Sequence, residues 1–466
     1  MTRDDARVAE LAEQVAQFAA DDVRQLVLAC SAVMGADGQA VLENIERMAQ
    51  QVTARIGRQV ISGVVNLAGE HTPATTLCDQ AHRARLVQSR PKTIQTLLGT
   101  INIERGYYHC GQCHTGFAPL DDKLGVRGNG LSPGLTRACA LAGMEMPYLK
   151  STQFIEEVTG QRLASASTIN RVTISEGTRA RNQIDKDYTA KGPRPIPPAW
   201  VEDQPDKCYI VLDGTGAPML PSETRGHLGK NQDQAKTREV KIGCYFTQSG
   251  LDFDNQPAQD PNTTTYISTF DPVGGFSDLV KAEYHRRGFD QIRQPIVIGD
   301  GAKWIWGVAD QRIPHATQIV DYYHAREHLA GLVKLVTPLL DDPTQWSTDL
   351  INALDQGDTT SIVDAVDRLD LPSRAPHLVQ DANTEVGYFT GNHHRMQYAH
   401  FKAKGYFIGS GFVESACNTL VKQRAKRAGM HWTIRGLDPV IALRTLHQSG
   451  RTELIWNTPT SRQAAK

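Results

Sequence analysis

The sequence has no long apolar run and few cysteines for its length. No stretch approaches the roughly 20 apolar residues that a membrane-spanning helix needs, and no signal-peptide pattern opens the chain. Eight cysteines in 466 residues do not suggest a disulfide scaffold. These absences favour a protein of the reducing cytoplasm, with no membrane partner.

The chain also has almost no net charge, −1 at pH 7, but its charges are unevenly distributed. Residues 395–435 contain eight Lys or Arg and one acid, Glu414, for a local charge of +7. Residues 341–370 contain eight Asp and a single Arg, for a local charge of −7. A basic stretch is often only a solvated face, but it is also what a phosphate-binding surface requires.

Two short apolar runs close on aspartates. Tyr209–Leu212 precedes Asp213, and Ile296–Ile298 comes just before Asp300. Glu414 follows a glycine-rich turn and opens a helical pattern. Carboxylates at strand ends lie where open α/β sheets carry their chemistry, and oxygen ligands suit Mg²⁺. Either Asp-Gly alone also fits an ordinary turn, but the pair together with Glu414 favours a metal site.

Before this region the chain is predicted to contain helices over residues 1–70 and a zinc-ribbon-like β segment over residues 71–125. Apolar residues recur every three or four positions in the first stretch, which is typical of a helical bundle or a dimer contact. In the second, Lys92–Leu98 and Thr100–His109 are predicted strands joined by a turn at Gly99.

A zinc site is predicted in this β segment. Cys110 and Cys113 form a CxxC motif, and Cys78 and His82 lie upstream, which together supply four ligands for a tetrahedral structural site. The upstream half is irregular because Ala81 stands where a second cysteine would complete another CxxC. Two further histidines are alternative ligands, His109 and His114.

Residues 126–190 are predicted to form a helix-turn-helix, or a plain three-helix packing unit. Ser132, Ser151 and Ser165 are predicted N-caps, and Gly160 a helix end. The third helix carries side chains suited to phosphates and base edges: Ser167, Thr168, Asn170 and Arg171. Four prolines between positions 193 and 198 predict a stiff linker over residues 191–205.

After the linker, strands and helices are predicted in an order that indicates an α/β sheet with an antiparallel start. The predicted strands are 207–213, 239–247, 264–270, 295–299 and 317–321, and the predicted helices are 275–288, 302–309 and 322–336. This order matches a ribonuclease H-like fold over residues 206–336. An acidic α-helical insertion is predicted over 337–404, and residues 405–466 complete the core with a basic helix that bears Glu414 and a C-terminal helix.

Four blocks of the chain carry a specific likeness: VLDGTG around Asp213, IGDGAKWIW around Asp300, DYYHAREHL from Asp321, and GSGFVESACNTLVKQRAKRAGMHW around Glu414. They resemble bacterial insertion-sequence transposases of the DDE class, ISKra type. TIQTLLGTINIERGYYHCGQC and SPGL are similar to the same family, so the likeness spans about residues 75–456. The sequence departs from the family where His82 follows Cys78 in place of a CxxC.

The resemblance implies a catalytic triad of Asp213, Asp300 and Glu414 that binds two Mg²⁺ or Mn²⁺ ions. Asp321 and His324 match an Asp-x-x-His element of related Mutator-like transposases, which implies an active-site role for His324. Without the resemblance, Asp321 reads as a helix N-cap and His324 as a first-turn residue.

The implied activity is cleavage of DNA at the element's ends, followed by transfer of the freed 3′ ends to target DNA. The implied partners are double-stranded DNA, as terminal inverted repeats and target, and further copies of the chain in a dimer or higher oligomer. Four basic residues are expected to hold the DNA backbone: Lys422, Arg424, Lys426 and Arg427. The alternatives are a catalytically silent DNA-binding protein derived from a transposase, or another ribonuclease H-like nuclease.

Overall fold

A computed structural model describes residues 3–34, 41–70, 72–126, 128, 130–189, 205–229 and 233–456. The chain forms two compact units, one up to Glu176 together with Trp456, the other Gly177–Ile455. The division falls inside a helix, whereas the predicted linker, residues 191–205, lies outside the described residues except for its last position. No helix in these ranges is long and apolar enough to span a membrane.

The first unit contains two long helices, a small sheet and a group of shorter helices. Its elements are α1 (Arg3–Met34), α2 (Val41–Glu70), β1 (Thr75–Leu77), β2 (Arg83–Thr96), β3 (Gly99–Cys110), β4 (Thr115–Phe117), α3 (Pro119–Lys123), α4 (Pro133–Glu145), α5 (Tyr148–Thr159) and the start of α6 (Ala166–Thr189).

The small sheet is an antiparallel meander of order β1-β2-β3-β4. Thr96 pairs with Gly99 across the β2–β3 turn, and Gly99 has a φ of +110°, a conformation that side chains disfavour. Ile94, Ile101 and Ile103 of these strands form a buried cluster. Their alternation with exposed positions is that of a sheet buried on one face.

The starts of α4 and α6 and the end of α5 lie at the predicted positions, whereas the start of α5 does not. Ser132 caps α4 by accepting a hydrogen bond from the N–H of Leu135, and Gly160 ends α5 in the left-handed conformation. Ser151 is not an N-cap, because α5 begins three residues earlier, directly after Pro147. Its buried hydroxyl donates to a carbonyl of α4 instead.

The second unit is built on a five-stranded sheet with helices. Its strands are β5 (Lys207–Pro218), β6 (Thr237–Gln248), β7 (Gly250–Leu251), β8 (Pro257–Ala258), β9 (Thr265–Thr269), β10 (Gln294–Gly299) and β11 (Thr317–Val320). Its first helices are α7 (Pro221–Thr224), α8 (Val273–Arg286), α9 (Lys303–Arg312) and α10 (Tyr322–Val336). The later ones are α11 (Pro343–Gln356), α12 (Thr359–Asp367), α13 (Leu371–Arg374), α14 (Val379–Asn392), α15 (Tyr398–Ala403), α16 (Gly411–Ala416), α17 (Gln423–Ala425), α18 (Ile434–Gln448) and α19 (Glu453–Trp456).

The large sheet has the strand order β11-β10-β5-β6-β9. The strands β5, β10 and β11 run parallel, whereas β5, β6 and β9 are antiparallel. Tyr209, Ile210 and Val211 of the central strand β5 are completely buried, as expected for a strand covered on both faces. The chain therefore has the mixed α/β fold that the sequence predicts.

The acidic region predicted as helical between β11 and Glu414 consists of the helices α11 to α15 with short 3₁₀ turns. It packs on α10 through α14, where Nδ1 of His328 lies 2.6 Å from Oε2 of Glu385. The ring of His328 also stacks on Tyr388, with the ring centroids 3.7 Å apart. This region therefore reaches the residues that follow β10 and β11.

Candidate active site and metal-binding groups

Asp213 and Asp300 lie at the same level of the large sheet. Asp300 directly follows β10, but Asp213 is not at a strand end as predicted, because β5 continues to Pro218 in its pairing with β6. Ile298 of β10 pairs with Val211 of β5 in parallel register, and each aspartate comes two residues later. Because adjacent strands lie about 4.8 Å apart, this register brings the two carboxylates near each other. Their mutual repulsion contributes to the pKa of Asp213.

Asp213 is held in place by two hydrogen bonds. The N–H of Gly214 donates to Oδ1 at 2.6 Å, and the thiol of Cys417 donates to Oδ2 at 3.1 Å. Burial raises the pKa of Asp213, and the charge of Asp300 adds to that rise, while the two hydrogen bonds and His324 oppose it. A buried carboxylate beside a like charge is an environment that a divalent cation would relieve.

Asp300 begins the loop between β10 and α9. Its Oδ1 accepts a hydrogen bond from the N–H of Ala302 at 2.9 Å, and its backbone carbonyl accepts one from the hydroxyl of Tyr388 at 3.0 Å. The next residue, Gly301, has a φ of +99°. A Cβ there would lie 2.5 Å from the ring of Tyr388, so only glycine lets α14 approach this closely.

Asp321 follows β11 and is the N-cap of α10. Its Oδ1 accepts a hydrogen bond from the N–H of His324 at 2.7 Å, and its Oδ2 accepts one from the N–H of Ser410. The side chain is completely buried. Burial raises the pKa of Asp321, but the hydrogen bonds from His324 and Ser410 outweigh that effect and lower it. Asp321 thus joins the start of α10 to the turn before Glu414.

His324 lies among carboxylates. Its Nδ1 is 3.5 Å from Oδ1 of Asp321 and is buried without a hydrogen-bond partner among the described residues. Interaction with Asp321 raises the pKa of His324 to about 9, with smaller contributions from Glu327 and Asp300. The surroundings of this ring therefore favour a positive charge.

Glu414 is exposed on the short helix α16. One of its carboxylate oxygens accepts a hydrogen bond from the hydroxyl of Ser410 at 3.4 Å. Ligand atoms of Asp321, His324 and Glu414 all lie within 4.8 Å of one another. Among the described residues, these three form one of two groups with the spacing of a metal site, and the other is a Cys/His group.

The three acids of the predicted triad belong to two sets of interacting side chains. Asp213 and Asp300 interact with each other, whereas Glu414 is grouped with Asp321 and His324. His324 connects the two sets, because its charge interacts with Asp213 and with Asp300.

A π-helix, Cys417–Lys422, continues directly from α16. Its wide turn is held by Arg444, a residue only 1% exposed. The Nε of Arg444 lies 3.1 Å from the carbonyl oxygens of both Thr419 and Leu420 and donates to them. π-helices are rare and often occur at functional sites, and this one fixes the residues that follow Glu414.

The four predicted zinc ligands come together in the small sheet. Ligand atoms of Cys78, His82, Cys110 and Cys113 lie within 4.8 Å of one another. Sγ of Cys113 is 3.7 Å from Sγ of Cys78 and 3.1 Å from Nδ1 of His82. Two thiolates of a CxxC, a third thiolate and an imidazole are a common set for structural Zn²⁺.

The backbone prepares one thiol of this group for metal binding. The N–H of Cys113 donates to Sγ of Cys110 at 3.4 Å, and this hydrogen bond lowers the pKa of Cys110 to about 7. Burial raises the pKa of Cys113 to about 11. The alternative ligands His109 and His114 are outside the group.

Three of the four basic residues predicted to hold DNA are exposed: Lys422, Lys426 and Arg427. The amino group of Lys426 lies 3.4 Å from the hydroxyl of Thr215, two residues beyond Asp213 on β5. Burial and the neighbouring charge of Lys422 lower the pKa of Lys426. These amino groups thus lie near a candidate catalytic aspartate.

Arg424 is the exception, and its prediction as a DNA contact is wrong. It is only 1% exposed, so its guanidinium has no route to a phosphate. The guanidinium lies over the ring of Trp432, 4.9 Å from the centroid, and Nη1 is 3.8 Å from Sδ of Met430. Because the basic stretch is helical at this point, one of its side chains faces the core.

The four residues predicted to contact bases lie in the first turns of α6. Ser167 and Arg171 are exposed. The hydroxyl of Thr168 is 3.0 Å from that of Ser165, which caps α6 by accepting the N–H of Thr168. Oδ1 of Asn170 is buried, so Ser167 and Arg171 are the better placed of the four.

Sequence reasoning missed three residues that position the acids: Cys417, Ser410 and Tyr388. A signal existed for Cys417, since it is three residues after Glu414 and therefore on the same side of a helix. Ser410 and Tyr388 act through contacts with residues that are distant in the chain, Asp321 and Asp300, and no local pattern indicates them.

Comparison with known families finds a match over part of the chain. Residues 36–256 match the uncharacterised protein family UPF0236. The matched region contains the Cys/His group, α4 to α6 and β5 with Asp213, whereas Asp300, His324 and Glu414 lie beyond it. No curated protein matches the chain.

Proposed function

We propose that this chain is a DNA transposase of the DDE class, ISKra type, that cleaves insertion-sequence ends and transfers them to target DNA. The observation that carries the proposal is the common level of Asp213 and Asp300 on adjacent strands of the large sheet. His324, whose charge interacts with both aspartates, precedes the helical region, and Glu414, which is grouped with His324, follows it. Convergence of acids from four distant segments is unusual for structural carboxylates.

The topology of the large sheet supports a ribonuclease H-like core. Taken in chain order, its first three strands, β5, β6 and β9, form an antiparallel series. The fourth and fifth, β10 and β11, lie parallel to the first on its other side. The resemblance predicts this order, with one acid on the first strand, one after the fourth and a helical insertion before the glutamate.

The donor set fits Mg²⁺ or Mn²⁺. Asp213 and Asp300 offer only carboxylate oxygens, which are the ligands Mg²⁺ prefers. Their repulsion, which raises the pKa of Asp213, would be removed by a shared divalent cation. Glu414 is exposed and free to turn towards a bound ion. Such ions supply Lewis acidity for hydrolysis and transesterification of phosphodiesters.

Each residue then has a distinct role. Asp213 and Asp300 would hold the ions, and Glu414 would complete one of the two positions. Cys417 orients Asp213 through its thiol, and Tyr388 fixes the loop of Asp300 through its backbone carbonyl. These hydrogen bonds keep the carboxylates in place before DNA arrives, which is how a preorganised site lowers a barrier.

The basic residues after Glu414 would bind the DNA backbone. Lys422, Lys426 and Arg427 are exposed, and Lys426 lies beside β5 two residues from Asp213. Phosphates bound there would be close to the carboxylates. Ser167 and Arg171 of α6 would contact base edges in the terminal repeats.

The experiment uses duplexes carrying the inverted repeats found in the DNA that flanks the reading frame. In Mg²⁺ the wild-type protein should cleave at the repeat end. Asp213→Asn, Asp300→Asn and Glu414→Gln should each slow cleavage by more than about 100-fold, since a lost ligand removes several kcal/mol of transition-state stabilisation. Binding of the same duplex without added Mg²⁺ should change little.

Asp367→Asn, a change of an exposed carboxylate on α12, is the matched control and should cleave like wild type. Specific binding without any cleavage by the wild-type protein would favour the silent DNA-binding alternative. Cleavage of branched duplexes without preference for the repeats would favour another nuclease. Cleavage that survives all three substitutions would contradict the proposed site.

A further inference from the structure

We propose that His324 and Glu414, completed by Asp321, bind a divalent transition-metal ion at a position distinct in ligand chemistry from Asp213 and Asp300. This inference deepens the proposed function. Binding of the ion does not depend on that function, but a role for the ion in DNA cleavage does. The inference concerns which metal one of the two positions selects.

The three side chains are arranged as in a metal site, but their ligand atoms are slightly farther apart. Ligand atoms of Asp321, His324 and Glu414 lie within 4.8 Å of one another. Ligands of one Zn²⁺ or Mn²⁺ stand about 3–4 Å apart, because the bonds are about 2.0–2.2 Å long. Asp321 is fixed in the core, whereas Glu414 is exposed on a short helix, so a small movement of Glu414 would close the group around an ion.

A second observation points independently to a ligand. Nδ1 of His324 is buried and has no hydrogen-bond partner among the described residues. Buried polar atoms in native proteins nearly always have a partner, and an exception calls for an explanation such as a bound ion. Oδ1 of Asp321 is 3.5 Å away and already accepts the backbone N–H of His324.

The backbone holds the ligands in place without a metal. Asp321 caps α10 and accepts the N–H of Ser410, and the N–H of Tyr322 donates to the carbonyl of Ile408 at 2.9 Å. These contacts tie the first turn of α10, which carries His324, to the turn from which Glu414 rises. Preorganised ligands of this kind reduce the cost of binding an ion.

The ligand types predict selectivity. Imidazole is a ligand of transition metals and a poor ligand of Mg²⁺, whereas carboxylates alone suit Mg²⁺ and Mn²⁺ alike. Asp213 and Asp300 would therefore exchange Mn²⁺ for Mg²⁺ readily. The position with His324 would retain Mn²⁺ in the presence of excess Mg²⁺.

The test is a Mn²⁺ titration of the full-length protein carrying one Zn²⁺ per chain and no excess zinc, with free Mn²⁺ measured by electron paramagnetic resonance in a large excess of Mg²⁺. Wild-type protein should keep one Mn²⁺ under these conditions. His324→Ala and Glu414→Gln should each weaken it at least tenfold. His285→Ala, a partly exposed histidine of α8, is the matched control and should bind like wild type.

Thermal unfolding in EDTA shows whether the variants fold. If His324→Ala does not fold, Glu414→Gln, at an exposed position, serves as the second variant. Unchanged Mn²⁺ binding by both variants would overturn the proposal. So would a folded His324→Ala variant that binds Mn²⁺ like wild type while Glu414→Gln loses it. The titration needs no DNA. Mn²⁺ binding without strand cleavage would count against the transposase proposal while leaving this site intact.

Discussion

At the scale of single residues, Glu283 is the centre of a buried ion network in the second unit. It is completely buried, and Arg451 donates to both of its oxygens, at 2.6 and 3.0 Å. The hydroxyl of Thr265 donates to Oε1 at 2.8 Å. Burial raises the pKa of Glu283, but the arginines, Arg451 foremost, outweigh it and lower the pKa below its usual value.

We expect Glu283→Gln to lower the free energy of unfolding at pH 7 by about 3–5 kcal/mol, because it leaves buried guanidinium groups without their counter-charge. The folded-state pKa of Glu283 is lowered, so its contribution is present above the unfolded pKa of about 4.3 and is lost as pH falls through the folded value. Urea unfolding at several pH values should show the difference between the two proteins shrinking in acid.

Asp381→Asn, at an exposed position of α14, is the control and should change stability little at any pH. A difference between Glu283→Gln and wild type that stays constant down to the lowest accessible pH would contradict the assignment. In that case lost packing, and not lost charge, would explain the destabilisation.

The role of an individual residue could be predicted from sequence only where it depends on residues close by in the chain. Asp213 and Asp300 were identifiable because each closes an apolar run, although β5 continues past Asp213 to Pro218. Arg424 was misassigned because its exposure depends on which side of the helix faces the core. The π-helix before it changes the number of residues per turn and therefore the direction in which Arg424 points. The position of Cys417 three residues after Glu414 was a local signal, but its contact with Asp213, 204 positions away, was not predictable from a local pattern.

At the scale of elements, the small sheet owes part of its order to the Cys/His group. The four ligands come from the end of β3, the turn before β4 and the segment between β1 and β2. Few apolar residues are buried around them, with Ala84 and Tyr108 the main ones. A bound Zn²⁺ would supply the stability that so small a core lacks.

We expect the purified full-length chain to contain one Zn²⁺, measured by elemental analysis. Cys110→Ser with Cys113→Ser should remove it, and hydrogen exchange should then become faster in residues 75–117 but not in the strands of the large sheet. Cys30→Ser, at a half-exposed cysteine of α1, should keep the metal and the protection. A wild-type protein that contains no zinc would leave these side chains as ordinary thiols.

Helix and strand positions were largely predictable, because apolar periodicity and caps act within a few residues. The helix predicted at 322–336 has those bounds in the structure, and the strand predicted at 295–299 begins one residue earlier. Ser151 failed as a cap because Pro147 already starts α5, and serine inside a helix can donate to a neighbouring carbonyl instead.

At the scale of the whole molecule, the resemblance implies that Glu414 and His324 share an active site, but the geometry of their grouping with Asp321 could not be predicted from local patterns. It depends on how the turn at Ser410 meets the start of α10 after the chain has passed through five helices. That meeting is fixed by backbone hydrogen bonds between distant segments. Sequence patterns predict which residues are chemically suited to a site, whereas long-range packing decides which of them share it.

The last prediction concerns how the chain would hold DNA. Lys422, Lys426 and Arg427 should contact phosphates, so replacing all three with Gln should weaken binding to repeat and scrambled duplexes alike. Each lost phosphate contact should reduce the slope of log affinity against log salt by about one unit. Arg424 is left unchanged because it is buried.

Ser167→Ala with Arg171→Ala should instead weaken binding to the terminal repeat more than to scrambled DNA, by about 1–3 kcal/mol for each lost base contact, because base edges carry the discrimination. A matched control replaces three exposed basic residues outside the stretch with Gln: Lys281, Lys334 and Arg368. It changes the net charge equally and should keep the wild-type salt slope, since these positions touch no phosphate. Titrations at several salt concentrations decide between the roles. If the control variant loses as much of the salt slope, the basic stretch acts only through general charge. If the Lys422, Lys426 and Arg427 variant loses affinity only for the terminal repeat, the two roles are reversed.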